Sequence, residues 1–477
     1  MAQPLPQPCD RGIIQAQPCP RAAGVEAPGA NKRWILAACI LASSMAFIDG
    51  SALTVALPAL RADFGADYAA VQWVINGYAL ALASLTLIGG ALADVFGKAR
   101  MLMLGAAAFG LTSAACALAP SVEWLIAARL AQGVSAAIVT PASLALIGAT
   151  YPREERGAAI GVWAAASALT TAGGPVIGGW LTETFGWQAV FWINPPIAAA
   201  TVLLLLVFSR AVPKQQRGFD WLGAGLIAAA LAALAYALSS IAPPEGAAEA
   251  GVQFGQQVWI ALFAGLALLG AYAFWETSAR EPLTPPRLWA NAPFTTLNLA
   301  TLLIYGGMSV MFFALPFELI DQRGLTPTQT GLAFLPFTLA LGLLSQVFGG
   351  LADKLGARPL LIAGPIAAAA AFLLMSLLRD QNLWAAIVLP MSVLGLAFAI
   401  LVAPLTAAVM SSVDDNDEGL ASGVNNAASR AAGLIGVALA AGLASLDNGF
   451  HASMMIAAGA SFLGAACAFA LRRVSSQ

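Results

Sequence analysis

Charge is scarce in this chain. Only 10% of its 477 residues are Asp, Glu, Lys or Arg, whereas a water-facing domain carries roughly 25%. That shortage excludes an ordinary soluble domain, which could not cover its surface. The charges present nearly balance, 22 basic against 24 acidic, and so give no basic patch for nucleic acid. Histidine is almost absent: His451 stands alone, at a helix end. Five cysteines occur, Cys9, Cys19, Cys39, Cys116 and Cys467, with no C-x-x-C pair, so neither a disulfide framework nor a zinc site is indicated. No metal and no cofactor are expected. H-E-x-x-H, G-x-S-x-G and a filter-like loop are also missing, which argues against a membrane-embedded enzyme and against a channel.

What is abundant is apolar. Hydrophobic residues make up 60% of the chain, and they fall in runs near the roughly 20 residues that cross a bilayer core. The runs lie at about 34–57, 71–93, 101–119, 124–149, 157–180, 189–208, 220–241, 257–275, 294–317, 329–352, 359–378, 383–410, 420–445 and 451–471. The expected fold class is therefore all-α integral membrane, with 14 transmembrane helices. Residues 1–33 lack the unbroken apolar core of a secretory signal and read as a disordered cytoplasmic tail.

Basic residues test the orientation. With the N-terminus inside, seventeen Lys and Arg fall on the inner side against three, Arg61, Arg323 and Arg379, on the outer. The positive-inside rule then places both termini in the cytoplasm. Arg129 and Arg430 lie within apolar runs. The loop from Asp414 to Glu418 has no basic residue, but acids weigh little in that rule.

An internal repeat organises the chain. Gly90-Ala91-Leu92-Ala93-Asp94, then Gly97, Lys98 and Arg100, recurs as Gly349-Gly350-Leu351-Ala352-Asp353, then Lys354, Gly356 and Arg358. Each copy follows the second helix of a six-helix half. The expected division is a bundle over 34–208, an inserted helix pair with linkers over 209–293, a second bundle over 294–471 and a short tail over 472–477. Parallel halves of this kind are a transporter architecture.

The repeated element resembles the loop signature of the major facilitator superfamily, and other segments extend the likeness along nearly the whole chain. Asp49 to Pro58 is similar to the first-helix motif of the fourteen-span drug:proton antiporters, and Leu125 to Ala137 to their fourth-helix motif. Gly174-Pro175-Val176-Ile177-Gly178-Gly179 resembles the antiporter motif of the fifth helix. Trp187, Phe191, Asn194 and Pro196 match the sixth-helix entrance, and Gly419 to Val437 the thirteenth helix. In the first loop copy, Val95 and Ala99 replace residues that are usually basic. The resemblance implies a major-facilitator fold of two six-helix bundles plus two inserted helices, in a bacterial-type inner membrane. It implies export of small lipophilic or cationic compounds in exchange for protons. Uptake of a small nutrient by symport or facilitated passage is the alternative.

Intramembrane charge agrees with that reading, being costly and functional by default. Asp49 precedes Pro58 by nine residues, about 13 Å, and Arg129 follows Glu123 by six, about 9 Å, so the two lie at similar depth. A carboxyl gives up its proton beside a guanidinium and keeps it in an apolar site. Asp49 and Arg129 are thus the candidates for proton coupling, the plainer alternative being a static pair that orients helices. Asp94, Gly97, Lys98, Arg100, Asp353, Gly356 and Arg358 form a candidate cytoplasmic gate, or else solvated helix ends. Gly174, Pro175, Gly178 and Gly179 give a tightly packed, bendable helix suited to a seal. Arg430 reads equally as a transport residue or as a side chain snorkelling inward toward Asp417 or Glu418. Trp73, Asn76, Tyr78, Gln132, Trp163, Tyr305 and Phe313 are candidate cavity residues. Only about Leu446 to Phe450 separates the last two helices, so no obligatory periplasmic adaptor is expected, and the single chain is expected to act as a monomer.

Overall fold

The structure, a computed structural model, describes residues 29–209, 220–239, 255–279, 284, 286–377, 383–413, 418–444, 446 and 448–471. The tail over 1–28, the linkers 210–219 and 240–254, the acidic loop 414–417 and residues 472–477 lie outside the described residues, with the expectations that fell on them.

All regular structure among the described residues is helical. The first half comprises α1 (Gly29–Phe64), α2 (Tyr68–Phe96), α3 (Lys98–Ala117), α4 (Val122–Thr150), α5 (Arg153–Phe185), α6 (Ala189–Trp192) and α7 (Asn194–Phe208). Between the halves in sequence come α8 (Trp221–Ser239) and α9 (Gln256–Ser278), followed by the short α10 (Pro286–Ala290). The second half comprises α11 (Ala292–Phe317) with a π-helical turn at Glu318–Gln322, α12 (Pro327–Ala333), α13 (Leu335–Leu355), α14 (Ala357–Ser376), α15 (Leu383–Ser411), α16 (Glu418–Ala444) and α17 (Gly449–Ala470). In hydrocarbon each backbone N–H and C=O must be satisfied within its own segment, and a helix does this.

Among the described residues, twelve helices are long and apolar enough to cross a membrane. Fourteen were expected. The other two expected runs fall on α5, a helix of 33 residues, and α8, a helix of 19 residues, each containing side chains outside the described residues. Two further boundaries differ from expectation. α1 begins at Gly29 rather than after residue 33, because Lys32 is anchored: its carbonyl accepts from the Tyr151 hydroxyl at 3.0 Å and its ammonium meets Glu155 at 3.4 Å. The sixth run is broken into α6 and α7 ahead of Pro195 and Pro196, which have no N–H to continue the ladder.

Sequence signals set the ends. Asp67 accepts from Ala70 N at 2.7 Å, capping α2, and Thr326 with Gln329 forms a capping box on α12. Both copies of the repeated loop turn on a glycine of positive φ, Gly97 at 99° and Gly356 at 80°. An L side chain rarely adopts that conformation, so each helix can stop and the next start within one residue.

The two halves repeat the same pairing. In the first, α2 packs on α4, α1 on α5, and α3 on α4 and α7; in the second, α13 packs on α15, α11 on α16, and α14 on α15 and α17. Two seams join the halves, α5 against α12 and α13, and α2 against α16. Helix α8 lies over the second seam, touching both α2 and α16, with Trp73 and Tyr236 rings 5.9 Å apart. α9 is peripheral: Phe274 is 75% exposed, facing where lipid would lie.

Candidate functional site: a buried ion pair beside a central cavity

Asp49 and Arg129 lose essentially all contact with solvent and meet as an ion pair between α1 and α4. An ionised carboxylate and guanidinium away from water must have their remaining hydrogen-bonding capacity filled, and the neighbouring helices do this. Gln132, one turn along α4, donates from Nε2 to Asp49 Oδ1 at 3.0 Å and accepts from Arg129 Nη1 at 2.6 Å. Arg129 Nε donates to the Val74 carbonyl of α2 at 3.1 Å. Asn194, at the start of α7, points Nδ2 at Asp49 Oδ1 from 3.4 Å and at Ser113 Oγ of α3 from 2.9 Å. Tyr78 closes the group, its ring centre 4.2 Å beneath the Arg129 guanidinium, a cation–π contact that strengthens where water is excluded. Residues of five helices thus meet around one buried ion pair.

Tyr78 also belongs to the wall of a central cavity of about 300 Å³ between the halves. The first half contributes Phe47, Gly50, Ser51 and Thr54 from α1, Asn76 and Tyr78 from α2, and Thr140 and Thr171; the second contributes Met308, Ser309, Phe312 and Phe313 from α11 and Arg430, Gly433 and Val437 from α16. Asn76, Tyr78 and Phe313 were expected here. The other four expected residues have different surroundings. Gln132 serves Asp49, and Trp73 packs toward α8. Trp163 donates to Ser43 Oγ at 3.0 Å, and the Tyr305 ring lies 6.0 Å from that of Phe398.

The glycines of α5 set the approach of two other helices. A Cβ on Gly174 would overlap Ser51, and one on Gly178 would stand 2.7 Å from Ala52 Cα, both on α1. A Cβ on Gly179 would stand 2.9 Å from the Pro327 carbonyl carbon of α12, and one on Gly331 3.0 Å from that of Pro175. α5 is therefore wedged between its own half and the other, backbone against backbone.

At that same end, where α1 terminates, the halves are tied together. Arg61 meets Asp321 at 3.6 Å and lies 4.0 Å over the Tyr68 ring, which in turn packs edge-on to Phe317 at 5.1 Å. Glu183 accepts from Thr328 N at 3.0 Å, and bonds from Thr328 and Thr326 hold its carboxyl below the usual range.

At the opposite end stand the candidate gate residues. Asp94 lies on α2 and Asp353 on α13, their side chains outside the described residues. Lys98 opens α3, Arg100 is exposed beside it, and Arg358 donates to the Phe469 carbonyl at 2.9 Å, bracing α14 on α17. Asn194 and Ser113 were not singled out as proton-site residues from the sequence. A lone amide or hydroxyl in an apolar run signals burial with a partner, without saying which.

Among curated proteins, the chain is 32% identical over 397 residues to the multidrug resistance protein Stp of Mycobacterium tuberculosis, covering 83% of this chain and 72% of that one. It is 31% identical over 399 residues to the tetracenomycin C resistance and export protein of Streptomyces glaucescens, with the same coverage. Among solved structures, the peptide transporter POT in complex with sulfate superposes with a TM-score of 0.70 at 14% identity, over 94% of this chain and 96% of that one, a likeness of fold alone. The family profile described as Major Facilitator Superfamily matches residues 39–278 and 297–477. With that match over most of its length, and with two similarly paired half-bundles around one cavity, the chain belongs to the major facilitator superfamily.

Proposed function

We propose that this protein exports small amphipathic drug-like molecules in exchange for protons, by alternating access. It is a multi-pass membrane transporter of small molecules, and relatives named for resistance to several unrelated antibiotics make it a drug-efflux transporter. Proton coupling is the further step, and the observation that carries it is the Asp49–Arg129 pair set against Tyr78, a residue of the cavity wall.

The chemistry follows from the donor set. As a carboxylate, Asp49 holds Arg129, Gln132 and Asn194 to α1. Taking up a proton removes the charge that these donors answer and loosens α1 from α4 and α7. Two and three residues further along α1, Ser51 and Ala52 bear on Gly174 and Gly178 of α5, and α5 bears on α12 of the other half. Protonation in one conformation and release in the other would thus be felt at the seam. Each state then favours one orientation of the halves, as exchange requires. Asp94 and Asp353, with Lys98, Arg100 and Arg358, would latch the opposite end when this one opens.

The same reading has fourteen crossings, with α5 and α8 included, both termini in the cytoplasm, and a monomer needing no periplasmic adaptor. The positive-inside count and the short link between α16 and α17 support it. Purified protein in proteoliposomes with an imposed pH gradient tests the proposal. Substrate should move against the proton flux and stop when a protonophore collapses the gradient. Flux that survives collapse would assign a facilitator, and flux in the direction of the protons a symporter.

A further inference from the structure

Arg430 is a charge the proposed proton site does not use. It lies on α16 twelve residues from Glu418, where the helix begins, about 18 Å along the axis. That is more than three turns, too deep for its side chain to reach the end of the helix or the loop beyond it. Instead it stands on the wall of the central cavity. Its Nε is buried without a hydrogen-bond partner, and among the described residues no carboxylate pairs with it. Among the described residues no Asp or Glu lines the cavity, and Asp49 is already engaged by Arg129, Gln132 and Asn194. Since Asp49 and Arg129 cancel, the described residues give the cavity one positive charge without a carboxylate partner.

Around this charge the wall is apolar: Met308, Phe312 and Phe313 from α11 and Val437 from α16. Arg430 is half-buried with its Nε unpartnered; a charge so incompletely solvated is costly, and an anionic or acceptor-rich ligand would relieve that cost with charge-assisted hydrogen bonds. A cationic ligand would add to it.

We infer that Arg430 is a substrate-binding residue, and that the cavity selects amphipathic molecules carrying an acidic group, such as a carboxylate, sulfonate or phenolate, on an aromatic or alicyclic body. This rests on the reading of the central cavity as the transport site and departs from the expectation of cationic substrates. Tyr78 gives the site a second role: it underlies Arg129 and shares the cavity wall with Arg430, so a ligand's acidic group would sit one side chain from the proton site.

The test is equilibrium binding to the full chain in nanodiscs, with no gradient imposed, after subtraction of empty discs. The probes are anilinonaphthalene sulfonate and its uncharged parent, N-phenylnaphthylamine, which share a ring system and differ by the sulfonate. The wild-type protein should bind the sulfonate about tenfold more tightly, the worth of one charge-assisted contact. Arg430→Gln should remove that preference and leave the neutral amine unchanged, while Arg430→Lys keeps part of it. Equal or tighter binding of the amine by the wild type, or sulfonate binding indifferent to Arg430→Gln, would overturn the inference. Because no proton gradient is involved, its failure would leave proton-driven export standing, and loss of gradient-driven flux would leave this binding result standing.

Discussion

Gly178 of α5 faces Ala52 of α1 so closely that a Cβ on Gly178 would come within 2.7 Å of the Ala52 Cα. Neither partner at that contact is a flexible side-chain end; both are backbone, and neither can step aside without moving a helix. Gly178→Ala should therefore lower the thermal unfolding midpoint of the purified protein by the equivalent of about 1–3 kcal/mol, the usual cost of overpacking. Gly148→Ala is the control, since a Cβ at Gly148 meets nothing within 4 Å. It should leave the midpoint unchanged or raise it, as expected for alanine replacing glycine inside a helix. Equal effects at the two sites would show that the α1–α5 contact is looser than the geometry indicates.

Arg61 and Asp321 join the halves at the end where α1 terminates, each with a side chain 27% exposed. Solvent screens such a pair, so its contribution should stay under about 1 kcal/mol. Arg61→Asp should still favour opening of that end a few-fold, because repulsion replaces attraction next to Tyr68. The readout is labelling of a Ser309→Cys probe in the cavity by a membrane-impermeant thiol reagent added at that end. Combining Arg61→Asp with Asp321→Arg should bring labelling back toward the wild-type rate. Unchanged labelling in the single variant would assign closure to the α5–α12 seam alone.

Glu183 makes a second tie at this end, and its behaviour with pH has a definite sign. Bonds from Thr328 and Thr326 favour the carboxylate, so the carboxyl titrates below its ordinary value of 4.5. The tie is present above that value and is lost only as pH falls through the lowered one. Transport measured between about pH 5.5 and 8 should therefore have the same profile in wild type and in Glu183→Gln. A displaced profile in the variant would mean that this carboxyl takes part in proton exchange.

How much of this was legible in the sequence depends on the kind of signal. Hydrophobic runs located the helices, and the repeated Gly-x-Leu-Ala-Asp element marked equivalent points in the two halves, both now seen as turns on a glycine of positive φ. Depth from the helix ends brought Asp49 level with Arg129, because charges inside apolar runs stand out and rise per residue is fixed. Facing was much less legible. A helix in lipid is apolar on all sides, so periodicity does not say which way a residue points. Trp163 and Tyr305 were as good candidates for the cavity as Phe313, yet they pack within their own halves. Arg430 read equally as a snorkelling residue until its position on the cavity wall removed the alternative. Asn194 and Ser113, distant in sequence, became part of the Asp49 site only through the packing of α7 on α3.

Asp49 is the residue on which the proposed mechanism turns. It is fully buried, and donors from α4 and α7 converge on its two oxygens. An isolated ionised group at such depth costs several kcal/mol, so two arrangements are economical: the carboxylate held by Arg129, or the neutral acid with Arg129 served by Gln132 and the Val74 carbonyl. Exchange between them is proton uptake and release. Asp49→Asn keeps the size and an acceptor oxygen while fixing the charge at zero. It should fold, reach the membrane and retain equilibrium binding of the probes, because Asp49 does not line the cavity. It should lose accumulation driven by a pH gradient, with flux down a substrate gradient surviving. Asp49→Ala, which also removes the acceptor, should lower the unfolding midpoint below that of Asp49→Asn, since Gln132 and Asn194 lose a buried partner, a loss that typically costs about 1–3 kcal/mol. Proteoliposome flux with and without the gradient, measured beside thermal unfolding, separates the two effects. If the Asp49→Asn variant still drives substrate against its own gradient at the wild-type rate, protons are carried by another group and the pair is a structural tie.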